Sequence, residues 1–349
     1  MSERFEIQGR PVGGGAPTYV IAEIGANHNR DMGVARELID VAADAGADAV
    51  KFQTYSGDRI YSRKTPRFEY LRDITDKTPA ELLEEISLPR EWQAPLAAYA
   101  AERGVHFFSS PFDHEAVREL DEIGVPVLKI ASFEIVDLPL IRAAASTGRP
   151  LIISTGMAML GEIEDALGAA REAGATEIGL LQCTSVYPAP ARLANLAAMD
   201  TMRRAFGVPV GLSDHTTGIA VPIAAAALGA AFIEKHVTLD RTMKGPDHPF
   251  ALEPHDLRAM VAGVREATAA IGNGRKEGPS PEERVEMYTQ ARRSLIVTRD
   301  LPAGTVLEPD MITVKRPGTG IAPKHLPLVL GRRTRRDLEH DDILTWDDV

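Results

Sequence analysis

Eight short apolar runs recur through the first two thirds of the chain, and each leads into polar, chemically capable side chains. Segments with a helical pattern lie between them, such as residues 32–46, 162–174 and 219–230. Eight strand and helix units in about 250 residues favour an α/β fold of the closed (β/α)8 type, the TIM barrel, over an open sheet. Buried parallel strands read as continuous apolar runs, as these do. The runs are residues 19–24, 49–52, 105–108, 127–130, 151–153, 178–181, 208–212 and 231–233.

The polar residues after these runs are candidates for function, because a TIM barrel carries its active site at the carboxyl ends of its strands. The same residue types at the opposite ends would not carry that weight. We therefore expect one shared site built from these tips, which include Asn27, His28, Gln53, Ser109, Ser110, Ser132, Ser154, Gln182, Ser213, Asp214, His215, Glu234, Lys235 and His236.

Composition limits the classes of function. The chain has 349 residues and a formal net charge of −11, and its densest basic stretch, residues 332–336, is short. We interpret that stretch as a solvated or intersubunit face and expect no nucleic-acid partner. The single cysteine, Cys183, excludes an internal disulfide framework. We find no long apolar segment and no signal-like start, so we expect no membrane partner and a cytoplasmic location.

The organisation of the chain changes near residue 272, where Gly, Pro and charged residues become dense. We predict a barrel domain over residues 1–275, an exposed linker over 276–289 and a small second domain over 290–349. Short strand-like runs and few helical signals mark the second domain until residues 326–330. A domain of this size is marginal alone, so we expect it to dock on another surface.

Two histidines, His215 and His236, end the seventh and eighth runs. Neighbouring strand ends lie about 5 Å apart, so both imidazoles can reach one cation. A site with two protein histidines leaves positions open for substrate or water. The alternative is that each histidine only forms hydrogen bonds at the barrel rim.

Three lysines lie within or beside apolar runs, at Lys51, Lys129 and Lys235. An unpaired buried ammonium is costly, so we expect anionic partners. A phosphate or carboxylate substrate is one partner. The hydroxyls of Ser109, Ser110, Ser132, Ser154 and Ser213 then complete a donor-lined cradle for it. The alternatives are structural pairing with Glu23, Glu134 or Glu234, and a Schiff base with a carbonyl substrate, as in a class I aldolase.

Acid and base candidates are Glu23, Glu134 and Asp247, since each is placed at the predicted rim. Asp214 precedes His215 and is expected to orient it. Tyr187 lies with Pro188 and Pro190 in a stiff loop after the sixth run.

Nine ordered motifs give the chain a resemblance to the sialic acid synthase family, the phosphoenolpyruvate-dependent nonulosonic acid synthases. Residues 290–349 likewise resemble the family's antifreeze-like, or SAF, domain through RRSLIVTRDLPAGTVLEPDMITVKRPGTGI. The nine motifs are IAEIGANHN, GADAVKFQTY, FFSSPFD, LKIASFEI, ISTGMA, QCTSVYPAP, GLSDHTTG, IEKHVTLD and KGPDHPFALEP.

The resemblance implies a transferase that condenses phosphoenolpyruvate with an open-chain N-acylated mannosamine-type sugar. The products are phosphate and a nine-carbon 2-keto acid. By the same resemblance, His215 and His236 bind a divalent cation, Mn²⁺ first, with Mg²⁺ or Co²⁺ as alternatives. The resemblance also implies that Glu23, Gln53, Tyr187 and Asp247 face the sugar. Phosphoenolpyruvate is held by Lys51, Ser110, Lys129, Ser132, Ser154, Ser185 and Ser213. The chemistry of the reaction calls for a proton carrier, and Glu23 or Glu134 is the candidate.

The resemblance also implies a domain-swapped homodimer, in which the SAF domain of one subunit caps the barrel of the other. Arg316 then meets the sugar's acyl group in trans. The motifs QCTS, SSPFD and ASFE match the pseudaminic and spore-coat branches, whereas KGPDHPFALEP lacks substitutions associated with pseudaminic synthases. The branch stays open, and a non-catalytic carbohydrate-binding protein is the remaining alternative.

Overall fold

The structure, a computed structural model, describes residues 3–62, 64–66 and 76–349. The chain forms two compact units, one up to residue 272 and one from residue 273 onward. The first begins with an antiparallel hairpin, β1 (Arg4–Ile7) and β2 (Arg10–Gly13). The sequence analysis did not predict this hairpin. Its side chains Phe5, Ile7 and Val12 join the main core, where Phe5 packs against Phe232 at the start of a barrel strand.

Eight parallel strands form the body of the first unit, which confirms the predicted barrel. In spatial order they run β5, β4, β3, β10, β9, β8, β7 and β6, and the end strands β5 and β6 contact one another. Most of their residues are fully buried, as the continuous apolar runs predicted. The strands are β3 (Tyr19–Glu23), β4 (Ala49–Thr54), β5 (His106–Pro111), β6 (Leu128–Ile130), β7 (Leu151–Ser154), β8 (Ile178–Cys183), β9 (Val210–Asp214) and β10 (Phe232–His236).

Helices follow the strands and cover the sheet. Asp31 caps the first by accepting hydrogen bonds from the Gly33 and Val34 amides, and Asp113 and Asp137 cap two others. No described helix has the length and apolar character needed to span a membrane. The helices are α1 (Met32–Asp44), α2 (Gly57–Ile60), α3 (Pro79–Ile86), α4 (Gln93–Glu102), α5 (His114–Ile123), α6 (Leu138–Ala145), α7 (Leu160–Glu172), α8 (Ala198–Phe206), α9 (Ala220–Ala227) and α10 (Pro254–Ile271), with 3₁₀ turns at Arg90–Trp92, Ser132–Val136, Ala191–Leu193 and His248–Phe250.

The second unit has a small core of its own, which includes Leu295, Val297, Leu307 and Ile321. Two strands, β11 (Ser294–Val297) and β12 (Ile312–Lys315), pair antiparallel. The predicted linker region is almost wholly exposed, and two short helices form in it. The helical elements of this unit are α11 (Pro281–Val285), α12 (Met287–Gln290) and α13 (Leu326–Val329), with 3₁₀ turns at Pro309–Met311 and Pro323–His325.

Candidate active site

The polar tips converge at the carboxyl ends of the barrel strands. Several were expected to follow their strands, but the structure makes them the last strand residues. Their spacing is therefore fixed by backbone pairing. Glu23 lies in register with Lys51 of β4 and with His236 of β10, while Gln53 lies in register with Ser110.

Lys51 stands at the centre of a buried polar cluster. Its Nζ lies 2.8 Å from Glu23 Oε2 and donates to Ser110 Oγ at 3.3 Å. Gln53 Nε2 donates to Glu23 Oε1 at 2.7 Å. Burial raises the pKa of Glu23 against the attraction of Lys51. Burial alone would lower the pKa of Lys51, but Glu23 and Glu234 outweigh it, so the ammonium persists.

Glu234 links this cluster to the second lysine. Its Oε2 lies 3.9 Å from Lys51 Nζ and 3.8 Å from Lys129 Nζ, and its Oε1 accepts from Ser213 Oγ at 2.9 Å. Lys129 donates to Ser154 Oγ at 2.6 Å. The two ammonium groups outweigh the effect of burial and hold the pKa of Glu234 below its usual range. The buried carboxylate of Glu234, on β10, is thus approached by side chains from three other strands, β4, β6 and β9.

From the sequence, Glu234 was placed among the polar strand tips and weighed as a structural partner for lysine, but it was given no catalytic, substrate-binding or metal-binding role. Its place between Lys51 and Lys129 makes it part of the site. The sequence did carry a signal for this: side chains alternate along a strand, so Glu234 lies on the same face of β10 as His236. Ser109 was expected in the hydroxyl cradle, but this was wrong. Its hydroxyl instead pairs with Thr54 Oγ1 at 2.7 Å.

Lys235 also departs from the expectation of an anionic substrate. It is fully buried, and its Nζ lies 2.6 Å from Asp214 Oδ2, on the face of β10 that alternation turns away from Glu234 and His236. Asp214 was expected to orient His215 from behind the metal-binding side chain. Its recorded side-chain partners are instead Lys235 and Thr216.

Two serine hydroxyls enclose the backbone at Gly156, just after β7. The Gly156 amide donates to Ser132 Oγ at 3.0 Å. A Cβ added to this glycine would run into the hydroxyls of Ser132 and Ser185. The backbone therefore approaches both serines as closely as glycine allows. Ser132, Ser185 and the Lys129–Ser154 pair together give a concentration of donors suited to an oxyanion.

His215 and His236 lie side by side, with ring centroids 5.5 Å apart. Phe250 packs edge-on against both rings, and Tyr187 lies 4.3 Å from the His215 ring. Phe250 is 2% exposed and was not singled out from the sequence, because a lone aromatic in a loop carries no pattern. The aromatic side chains fix both imidazoles against the rim.

The nitrogen atoms of this pair suit an open cation site. Nδ1 of His215 lies 2.8 Å from the Thr184 carbonyl, so it carries the proton and leaves Nε2 free to bind a metal. Nδ1 of His236 is buried and has no hydrogen-bond partner. Within the described ranges, no group of three His, Cys, Asp or Glu side chains is placed to hold a metal. The histidine pair therefore fits a cation that completes its shell with substrate or water.

The other predicted residues fall in different places. Asp247 Oδ2 lies 3.6 Å from His236 Nδ1, and the space over Gly25 is shared by Asp247, Glu23 and His236. Glu134 lies in the 3₁₀ turn after β6, where burial raises its pKa to about 7. Arg316 belongs to the second unit, just after β12, and is exposed.

Known proteins match the chain over both units. The NeuB family model matches residues 38–276 and the SAF domain model matches residues 292–349. N,N'-diacetyllegionaminic acid synthase from Campylobacter jejuni is 39% identical, covering 94% of this chain and 98% of that protein. Pseudaminic acid synthase from Helicobacter pylori is 37% identical, covering 95% and 98%.

A solved structure agrees with these relatives. The N-acetylneuraminic acid synthetase from Leptospira borgpetersenii, crystallised with citrate, superposes with a TM-score of 0.74 at 35% identity. The match covers 82% of this chain and 96% of that one. The resemblance read from the nine motifs is confirmed: the chain belongs to the NeuB family, as an enzyme of the sialic acid synthase type with a C-terminal SAF domain.

Proposed function

We propose that this enzyme is a nonulosonic acid synthase that joins phosphoenolpyruvate to an open-chain N-acylated mannosamine-type sugar, giving a nine-carbon 2-keto acid and phosphate. Its similarity to synthases named for legionaminic and pseudaminic acids supports the reaction class. The observation that carries the proposal is the cluster in which Lys51 and Lys129 share Glu234 beside the histidine pair. Lys51 is also paired with Glu23 at 2.8 Å, whereas the carboxylate nearest to Lys129 is Glu234 at 3.8 Å, so Lys129 is the ammonium left to meet a substrate anion.

The phosphate and carboxylate of phosphoenolpyruvate match the donors at this edge of the barrel. Ser132 and Ser185 lie against Gly156, and Lys129 donates to Ser154. Lys51 donates to Ser110, and both lysines lie near Glu234. We assign these groups, with Ser213, to phosphoenolpyruvate. Holding both ends of this small substrate directs its reacting carbon toward the sugar. The protein thus lowers the barrier by orienting the reactants and by stabilising charge.

His215 and His236 would hold a divalent cation, with Mn²⁺ as the first candidate and Mg²⁺ or Co²⁺ as alternatives. When bound, such a cation polarises the sugar aldehyde and stabilises negative charge on its oxygen. Glu23, Gln53, Tyr187 and Asp247 line the space beside the pair, and we assign them to the sugar. Arg316 is assigned to the sugar's acyl group from a partner subunit's SAF domain.

The covalent steps balance without an oxidant or reductant. C3 of phosphoenolpyruvate forms the new bond to the aldehyde carbon, whose oxygen takes up a proton. Water then adds at C2, and the resulting tetrahedral centre releases phosphate as its C2–O bond breaks and the ketone forms. Glu134, with a pKa of about 7, can both accept and donate a proton near neutrality. Glu23 is the second carrier.

The test is phosphate release from phosphoenolpyruvate with Mn²⁺, with and without chelator. The acceptor panel is N-acetylmannosamine, mannose, 2,4-diacetamido-2,4,6-trideoxymannose and its altro isomer. Sugar-dependent release that chelator abolishes is the expected result, and the preferred acceptor identifies the branch, the altro isomer indicating the pseudaminic one. Release that resists chelator, with trapping of a lysine by borohydride, would favour a class I aldolase instead. Sugar binding without release would favour a carbohydrate-binding protein.

A further inference from the structure

Lys235 and Asp214 form a buried ion pair directly behind the two histidines. The side chain of Lys235 is 0% exposed and that of Asp214 is 1% exposed. Each residue immediately precedes one of the histidines in the chain, since Asp214 is followed by His215 and Lys235 by His236. The mechanism proposed above uses neither side chain.

The pair binds the backbone of Thr216, the residue just after His215. Asp214 accepts hydrogen bonds from the Thr216 amide at 3.1 Å and from the Thr216 hydroxyl at 3.0 Å. The ammonium of Lys235 donates both to Asp214 and to the Thr216 carbonyl. One side chain from β10 therefore binds the Asp214 carboxylate before His215 and the Thr216 carbonyl after it.

The strand pairing itself stops short of His215. The recorded register between β9 and β10 ends at Asp214 opposite Lys235. On its other side, His236 is still held in register by Glu23 of β3. His215 thus depends on contacts beyond the β9–β10 ladder for its distance from His236, and the Lys235 side chain supplies contacts at that point.

The energetics argue for a role in position. A buried ion pair pays desolvation on both partners, and a well-packed apolar pair of the same volume is often as stable. An ion pair that also binds a backbone carbonyl and amide, however, fixes directions that apolar packing does not. Such supports behind metal-binding histidines tune metal affinity.

We propose that Lys235 and Asp214 are positioning residues that set the separation and orientation of His215 and His236 for the divalent cation. This inference rests on the proposed function, because it assumes that these histidines bind the metal. It adds a support on the face of β10 that alternation turns away from Glu234 and His236.

The experiment measures Mn²⁺ affinity in metal-depleted full-length protein, with free Mn²⁺ counted by electron paramagnetic resonance. Lys235→Met is expected to weaken binding by about 10- to 100-fold. This variant leaves Asp214 unpaired in the core, so the double variant Lys235→Met/Asp214→Asn is measured with it. The double variant removes both charges and keeps an acceptor for Thr216. It therefore tests the loss of the Lys235 contacts to Asp214 and Thr216 without leaving an unpaired charge in the core. Circular dichroism confirms that each protein is folded.

Two controls separate the outcomes. Arg265→Met breaks an ion pair of 2.6 Å to Asp48, which precedes β4 at the opposite end of the barrel, and is expected to leave Mn²⁺ affinity unchanged. His236→Ala is expected to abolish binding. If His236→Ala abolishes binding while the folded double variant binds like the wild type, the inference is overturned and the proposed metal site stands. Mn²⁺ binding that survives His236→Ala overturns both.

Discussion

At the scale of single residues, the nearest partners decide in which direction the pKa of a buried group shifts. Lys129 and Lys51 lie at similar depth, yet burial lowers the pKa of Lys129, whereas the carboxylates beside Lys51 raise its pKa above the usual value. The difference follows from the partners: Glu23 contacts Lys51 at 2.8 Å, and the carboxylate nearest to Lys129 is Glu234 at 3.8 Å. Lys129 is therefore the ammonium with more to gain from an incoming anion.

Replacing Lys129 tests this assignment. In Lys129→Met, Ser154 loses its 2.6 Å partner while Glu234 keeps Lys51. We expect kcat/KM for phosphoenolpyruvate to fall by about 100-fold or more, since a charge-assisted contact is lost in a site that excludes water. Steady-state kinetics of phosphate release measure the effect. Lys315→Met removes an exposed ammonium of the second unit and should leave the rate unchanged; equal losses in both variants would contradict the assignment.

Glu134 predicts a pH dependence of stability. Its pKa rises from 4.5 to about 7 on folding because of burial. The folded protein thus retains a proton that the unfolded chain releases between these values, so this group's contribution to stability declines as pH rises from 4.5 to 7. Glu134→Gln lacks that decline. The free energy of unfolding of Glu134→Gln, relative to that of the wild type, should therefore rise by about 2 kcal/mol on going from pH 5 to pH 8.

Urea unfolding of both proteins at the two pH values measures this difference. Glu162→Gln, a substitution at an exposed helix start, serves as the control because no comparable burial acts there. A constant difference between wild type and Glu134→Gln across the pH range would show that Glu134 is not buried in this way.

The sequence located the polar residues at the ends of the barrel strands, but it did not show which residues support them from the other face of the strands. Lys51 and Lys129 lie within apolar runs and the serines lie at their ends, and the ends of parallel strands meet at one edge whatever their register. Lys235 shows where this reasoning stops. Both faces of a barrel strand are buried, so the run lacks the polar alternation that tells inward from outward residues. Only the pairing of β9 with β10 shows that Lys235 meets Asp214.

At the scale of elements, the loops after the strands complete the site. The sequence located the eight strands but not the hairpin of β1 and β2, because neither strand of the hairpin is a continuous apolar run: exposed and buried residues alternate along β1. It also could not show that the turn after β7 passes against the turn after β6, because that contact joins Gly156 to Ser132 and Ser185 across three elements. Such contacts depend on the packed fold.

Gly156→Ala tests this crowded turn. The new methyl group would displace the hydroxyls of Ser132 and Ser185, and side-chain hydroxyls can rotate away, so we expect a folded protein with a raised KM for phosphoenolpyruvate, by about 10-fold. Gly168→Ala is the matched control: it lies within α7, and a Cβ there meets nothing within 4 Å. That variant should keep its kinetics and gain up to about 1 kcal/mol of stability. Similar KM values for the two variants would contradict the assignment of this turn to the phosphate.

At the scale of the whole molecule, the two units are each compact with a core of their own, and both match family models. The barrel holds every candidate site residue except Arg316. A domain-swapped homodimer, in which the SAF domain of one subunit caps the barrel of the other, follows from the family resemblance and remains a prediction. If the site is shared between subunits, two variants with defects in different domains should restore activity when they form a mixed dimer.

We expect Arg316→Ala to raise the KM of the sugar while leaving that of phosphoenolpyruvate nearly unchanged, and Arg299→Ala, at another exposed arginine of the same unit, to change neither. Mixing Arg316→Ala with Lys129→Met then tests capping in trans. Each mixed dimer would pair an intact barrel with an intact SAF domain, so activity should exceed the sum of the two variants measured apart. Affinity tags of two kinds isolate the mixed dimers, and phosphate release measures their rate. Mixed dimers with no gain over the separate variants would place Arg316 on its own subunit's barrel or away from the sugar.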